Sequence, residues 1–78
     1  MWYLYILRLS DDSLYTGITK DVDRRIDQHE DGDGSKYVRS RLPCKLVYLE
    51  ELESRSEASR REAEIKSWDK ERKEELVS

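Results

Sequence analysis

The chain has 78 residues, of which 36% are hydrophobic and 42% are charged, and its formal net charge at pH 7 is −3. This length favours one domain over residues 1–78, with a small core that removes roughly 60% of the unfolded surface from water. Two tryptophans, five tyrosines and periodic apolar segments exclude a disordered polar chain. The negative net charge argues against strong non-specific binding to DNA.

The apolar segments are short, and cysteine is rare. No apolar run approaches the ~20 residues of a membrane span, and no basic stretch precedes the apolar start as it does in a signal peptide. We therefore expect a cytoplasmic protein with no membrane contact. The single cysteine, Cys44, excludes an intrachain disulfide and is expected to be a small buried side chain.

The first half of the chain predicts two strands and a helix. Residues 2–9 are apolar apart from Arg8 and rich in aromatic side chains, which indicates a strand buried on both faces at the centre of a sheet. After a turn, residues 14–17 predict a second strand that ends at Gly17, a bulge or a point of close approach. A helix is expected over 21–30, with Asp21 as its N-cap.

The second half predicts one more strand and two longer helices. A short helical turn is expected within 36–41, and the third strand over 44–52. The S-x-x-E capping box at 54–57 opens a helix, and Asp69 caps a final helix over 70–77. The order ββαβαα predicts an α+β fold, with a three-stranded antiparallel sheet flanked by helices.

The predicted first helix has an unusual inward face. Val22, Arg25, Ile26 and His29 follow the i, i+3, i+4, i+7 spacing that turns side chains toward a core. A half-buried charge is costly unless it is paired or has a function. Arg25 therefore either pairs with a carboxylate such as Asp21 or serves a site. His29 either satisfies carbonyls at the end of the helix or serves the same site.

The predicted hairpin decides whether two tyrosines meet. An odd-numbered loop centred on Asp11 places Tyr15 opposite Leu7 and diagonal to Tyr5, so that the two hydroxyls are close. A two-residue loop would place the tyrosines on opposite faces of the sheet. We expect the odd-numbered loop.

A carboxylate of the second long helix, Glu62 or Glu64, borders the packed side, and spacing alone prefers Glu62 only slightly. Tyrosines, an arginine, a histidine and a carboxylate in one patch suit phosphodiester hydrolysis. Arginine stabilises charge on phosphate oxygens, and a tyrosine or histidine moves protons. One carboxylate, with waters and phosphate oxygens, can hold magnesium.

The same residues resemble a known family. Y-L-Y at 3–5 is followed by Y-T-G at 15–17, by Arg25 ten residues after the second motif tyrosine, and by His29 four residues further on. Glu62 lies in a segment that continues E-A-E-I-K. This order and spacing is similar to the GIY-YIG nuclease family, in particular to its small single-domain members, and extends over nearly the whole chain.

The resemblance implies a metal-dependent endonuclease with Mg²⁺ or Mn²⁺ as cofactor, acting on structured or single-stranded DNA rather than RNA. It implies that Tyr5 or Tyr15 activates water, that Arg25 stabilises the transition state, that His29 assists and that Glu62 binds the metal. The motifs here read YLY and YTG instead of GIY and YIG. The chain also has no asparagine, which many members carry after the helix.

A basic strip with an aromatic ring predicts where nucleic acid binds, and its members are Arg24, Lys36, Tyr37, Arg39 and Arg41. The acidic C-terminal helices suggest that nucleic acid approaches from the other side. Three accounts of the negative charge are open: weak intrinsic affinity, a protein partner that delivers the substrate, or a high-salt cytoplasm. The alternative function is a catalytically inactive module of the same fold that binds nucleic acid or protein.

Overall fold

The structure, a computed structural model, describes all residues from 1 to 78. In chain order its elements are β1 (Trp2–Arg8), β2 (Leu14–Thr19), α1 (Val22–Glu30), α2 (Lys36–Arg39), β3 (Lys45–Leu52), α3 (Arg55–Lys66) and α4 (Lys70–Val77). The strands form an antiparallel sheet in the order β2-β1-β3. This confirms the predicted α+β fold and the central position of β1.

Capping side chains fix where the helices begin. The side chains of Asp21, Ser54 and Asp69 each accept a hydrogen bond from the backbone N–H three residues later, at the starts of α1, α3 and α4. All three N-caps were predicted from the sequence, and they are confirmed. Ser35 caps α2 in the same way, and this helix is a single turn.

The hairpin has the register expected for an odd-numbered loop. Tyr15 pairs with Leu7, and Tyr5 pairs with Gly17. The prediction that the second strand ends at Gly17 is wrong, because Gly17 stays in the ladder and β2 continues to Thr19. The glycine is instead the point of close approach that was the other interpretation of this residue.

Alternation along β1 sends its side chains to two faces of the sheet. On the first face, Tyr5, Leu7 and Leu9 pack with residues of α1 and α2. On the second face, Leu4 and Ile6 pack with residues of α3 and α4. The sheet is therefore a middle layer, and β2 is the edge strand around which the two helical layers can approach each other.

Cys44 directly precedes β3, packs at the margin of the first-face core and is half-buried, so the prediction of a buried cysteine is met only in part. Burial raises the pKa of its thiol above the ordinary value, and the charge of Glu30 adds to this. No helix in the structure is long and apolar enough to cross a membrane.

Candidate active site

Tyr5 is the centre of a polar cluster inside the first face. Its side chain is only 1% exposed, yet its hydroxyl accepts a hydrogen bond from Arg25 Nε at 3.3 Å and lies 2.9 Å from His29 Nε2. Gly17 makes room for this hydroxyl, since a Cβ at that position would overlap the phenol. The glycine of the Y-T-G motif is thus required by packing.

Arg25 holds its position through neutral acceptors only. Besides the Tyr5 hydroxyl, its guanidinium donates to Gln28 Oε1 at 3.1 Å and to the Gly34 carbonyl at 3.2 Å. No carboxylate lies within ion-pair distance of Arg25, so the predicted alternative of pairing with Asp21 is wrong: that carboxylate caps α1. Three of the five N–H donors are used, which leaves two N–H groups and an uncompensated charge for an anion.

His29 is buried beside the same hydroxyl and is held neutral. It is 1% exposed, and burial, aided by the Arg25 charge, lowers its pKa below 6.5. Because Arg25 can only donate, the Tyr5 hydroxyl is free to donate its own proton to His29 Nε2. His29 Nδ1 has no hydrogen-bond partner. The alternative that His29 satisfies helix carbonyls is therefore wrong, since its ring bonds to Tyr5.

Tyr15 lies at the margin of the cluster. Its ring meets the His29 ring edge-on, with 5.3 Å between the centroids, and stacks on Tyr37 at 6.2 Å. Tyr15 is half-buried, and its hydroxyl is near enough to Tyr5 for its charge to raise the Tyr5 pKa. The register places the two tyrosines on one face of the sheet, as expected, and the closeness of their hydroxyls stays a prediction.

Glu62, on α3 in the other helical layer, acts on the Tyr5 hydroxyl through its charge. Burial is the main cause that raises the Tyr5 pKa above 10.0, Arg25 opposes it, and the charge of Glu62 adds to it. The carboxylate of Glu62 and the guanidinium of Arg25 therefore both act on one hydroxyl, although α1 and α3 lie on opposite faces of the sheet. The charge of Glu62 acts across the edge formed by β2, against which α3 packs.

The choice between the two glutamates follows from their contacts. Glu64 pairs with Arg61 and is 56% exposed. Glu62 is 24% exposed, and its only ion pair is with Lys66, at 3.3 Å. The structure contains no group of three or more histidine, cysteine, aspartate or glutamate side chains that could hold a metal. One carboxylate fits a hydrated Mg²⁺ that takes its other ligands from water and phosphate.

The predicted basic strip is divided in the structure. Arg24 lies beside Arg25 in a cleft, whereas Lys36 and Arg39 are exposed on α2. The guanidinium of Arg41 lies 3.8 Å from the centre of the Tyr37 ring and forms an ion pair with Asp11 at 3.0 Å. Tyr37 and Arg41 are thus engaged with other side chains of the protein.

Several residues that line or support the site were not predicted from the sequence. Gln28 supports Arg25, and its i, i+3 spacing on the helix could have revealed this. Trp2, Lys20 and Arg55 line the cleft that contains Arg25. No local signal could have found these three, because the start of β1, the end of β2 and the start of α3 meet only in the folded chain.

Comparisons with known proteins agree with this geometry. The family model of the GIY-YIG catalytic domain matches residues 1–75, and the chain therefore belongs to the GIY-YIG nuclease family. It is similar to a UPF0213 protein of Haloquadratum walsbyi, with 51% identity over 75 residues, covering 96% of this chain and 84% of the relative. A UPF0213 protein of Staphylococcus saprophyticus is 46% identical over 76 residues, covering 97% and 93%.

A solved structure shares the fold. The solution NMR structure of a UPF0213 protein from Bacillus halodurans matches with a TM-score of 0.64 and 49% identity, covering 99% of this chain and 83% of that chain. The family resemblance drawn from the motifs is thereby confirmed.

Proposed function

We propose that the protein is a metal-dependent endonuclease that hydrolyses phosphodiester bonds in structured or single-stranded DNA. Membership of the GIY-YIG nuclease family supports the reaction class. The observation that carries the proposal is that Arg25 bonds to the Tyr5 hydroxyl with its charge uncompensated, while the charge of Glu62 acts on the same hydroxyl. A phosphate at that point would meet a cation with free donors and a carboxylate suited to a metal.

Arg25 stabilises the charge that develops on the phosphate oxygens, using the N–H groups that its protein partners leave free. Glu62 holds Mg²⁺ or Mn²⁺. When bound, the metal supplies Lewis-acid polarisation of the phosphate and lowers the pKa of water. Lys66 must move aside for this role, and because more than half of its side chain is exposed, this movement costs little.

The two tyrosines have different roles in the proposed reaction. Tyr15 is half-buried and can meet water, so we place it at the attacking water molecule. Tyr5 is buried and positions Arg25, and neutral His29 assists by accepting a hydrogen bond from the Tyr5 hydroxyl. The alternative, in which Tyr5 itself activates water, predicts that Tyr5→Phe abolishes cleavage while Tyr15→Phe does not.

DNA is the proposed partner, and the positive residues on the side away from α4 are its expected contacts. Lys36 and Arg39 form no ion pair and can bind phosphates beyond the site. Because the chain carries more acidic than basic residues, affinity for DNA is expected to be low, and a protein partner that delivers the substrate would compensate for it.

The test is incubation of the chain with end-labelled nicked, branched and single-stranded DNA in the presence of Mg²⁺. Cleavage that is lost in both Arg25→Ala and Glu62→Ala supports the proposal, while cleavage that survives both changes comes from a contaminant. Absence of cleavage, with DNA binding that is unchanged in Glu62→Gln, would favour the inactive binding module instead.

A further inference from the structure

The positive charges of the chain are distributed unevenly. Of 15 lysines and arginines, those that form ion pairs with carboxylates are Arg8, Arg41, Arg61, Lys66 and Lys70. None of these borders the cleft beside Arg25. The four cations that line this cleft, namely Lys20, Arg24, Arg25 and Arg55, form no ion pair at all.

The cleft is lined by few negatively charged side chains. Asp21 is the one carboxylate in its lining, and that side chain accepts a hydrogen bond from the backbone of Arg24 as the N-cap of α1. The cleft is therefore locally positive on a chain whose net charge is −3. Unneutralised cations in a concave surface attract and concentrate anions.

An aromatic ring forms one wall of this positive cleft. Trp2 is half-buried at the start of β1, and two cations flank its ring: Arg55, with its guanidinium carbon 5.7 Å from the ring centroid, and Lys20, with Nζ at 5.9 Å. Cations beside an aromatic face are the arrangement by which proteins hold single-stranded nucleic acid, since phosphates meet the cations and a base stacks on the ring.

The cleft also continues the proposed active site. Arg55 and Glu62 are seven residues apart on α3, so they lie on the same side of the helix, about 10 Å apart along its axis. That separation is about three nucleotides of a stacked strand. A strand that places one phosphate between Arg25 and Glu62 would bring a flanking phosphate to Arg55.

We propose that Trp2, Lys20, Arg24 and Arg55 form a subsite for the single-stranded segment that flanks the cleaved phosphate, with a base stacked on Trp2. The proposal rests on the proposed nuclease function for the position of that phosphate. It also explains how a chain of negative net charge can bind DNA, since binding depends on one cleft rather than on the whole surface.

The first experiment measures binding of a single-stranded thymidine oligonucleotide to the full chain in a Glu62→Gln background, which prevents cleavage. Arg55→Gln should weaken binding about threefold to tenfold and reduce the slope of log K against log salt by about 0.7, the loss of one phosphate contact. Arg60→Gln is the matched control. It removes the same charge from an exposed, unpaired arginine of the same helix, and it should change affinity less than about twofold. Equal effects of the two substitutions would show that only net charge matters and would overturn the subsite.

The second experiment uses the two tryptophans as reporters. Trp68 also has two arginines over its ring, Arg61 and Arg72, but it follows the C-terminal end of α3, whereas the cleft with Trp2 lies at the N-terminal end of that helix. With Trp68→Phe, oligonucleotide binding should quench the remaining Trp2 fluorescence. With Trp2→Phe, the remaining Trp68 signal should stay constant. Quenching of Trp68 alone would place the strand elsewhere and refute the proposal.

The outcomes separate the two proposals. If the wild-type chain cleaves DNA with the expected dependence on Arg25, but Arg55→Gln and Trp2→Phe bind and cleave like wild type, the nuclease function stands and the subsite is wrong. If no DNA is cleaved, but binding depends on Arg55 and quenches Trp2, the cleft binds single-stranded DNA as proposed and the nuclease function is wrong.

Discussion

Two pairs of side-chain contacts hold arginines on opposite faces of the sheet in opposite ways: Arg61 and Arg8 by carboxylates, and Arg25 by neutral groups. On the second face, Arg61 pairs with Glu50 at 3.1 Å and with Glu64, and Arg8 pairs with Glu74 at 2.6 Å. On the first face, Arg25 is held by a hydroxyl, an amide and a backbone carbonyl, and no carboxylate neutralises it.

This difference separates a structural charge from a functional one. A paired arginine ties α3 or α4 to the sheet, and its charge is already compensated. An arginine fixed only by neutral acceptors keeps its charge and its position at the same time. In a chain with more acidic than basic residues, leaving Arg25 without a carboxylate favours an anion from outside the protein.

The largest expected effect comes from the same substitution on each face. Arg25→Lys keeps the charge but loses the planar donor geometry, so kcat/KM for DNA cleavage should fall about 100-fold or more. Arg61→Lys should change kcat/KM less than about threefold, because that guanidinium only pairs with surface carboxylates. Steady-state cleavage of labelled DNA measures both. Comparable losses of kcat/KM in the two variants would mean that the lack of a carboxylate partner at Arg25 has no bearing on cleavage.

The next largest effect comes from removing one tyrosine hydroxyl on each face of the sheet. The comparison separates a hydroxyl that positions site residues from one that only stabilises the fold. Tyr5→Phe deprives both Arg25 and His29 of their shared partner, so we expect stability to fall by about 1 kcal/mol and kcat to fall about tenfold. Tyr48→Phe removes a hydroxyl that donates to Glu50 at 2.5 Å on the second face. It should cost a similar amount of stability, by urea unfolding, and leave kcat unchanged.

Much of the fold could be predicted from local patterns. The three N-cap residues and the central strand follow from propensity and burial pattern, and the register of the hairpin follows from loop parity. The end of β2 could not be predicted in the same way. Gly17 looks like a strand terminator locally, but the Tyr5 ring that occupies its missing side-chain space comes from another strand.

The residues of the candidate site also differ in how far local sequence patterns reveal them. Arg25 and His29 could be recognised because they occupy inward positions of a single helix. Glu62 and Glu64 could not be separated by spacing alone, since the difference lies in what each carboxylate meets: Lys66 and the field at Tyr5 for one, Arg61 for the other. The cleft lined by Trp2 and Arg55 required the tertiary structure, because its residues come from four separate elements.

Acid should affect the first face before the second. The pKa of His29 in the folded chain is lowered from 6.5 by burial. Just below pH 6.5, His29 is therefore protonated more readily in the unfolded chain than in the folded one. The stability from neutral His29 is fully present above pH 6.5 and is lost as pH falls toward the folded pKa. On the second face, hydrogen bonds from Arg8 lower the pKa of Glu74 from 4.5, so its contribution is lost only below pH 4.5.

Urea unfolding between pH 8 and pH 4 measures this order. Because His29 is the only histidine, His29→Gln should flatten the decline in stability that begins near pH 6.5, and it should leave the decline below pH 4.5 in place. A wild-type curve that is flat from pH 6.5 to pH 5 would show that His29 is not held neutral by burial.

The smallest expected effect concerns the ion pair between Glu62 and Lys66. A metal at Glu62 must compete with the Lys66 ammonium 3.3 Å away, and a pair exposed to this degree is worth at most about 1 kcal/mol. Lys66→Ala should therefore lower the Mg²⁺ concentration for half-maximal cleavage about twofold to fivefold. Lys73→Ala removes an equal charge from α4 and controls for the general field. If Lys66→Ala raised the half-maximal Mg²⁺ concentration instead, Lys66 would be helping to bind the metal or the phosphate. Lys66 and the metal would then not compete for Glu62.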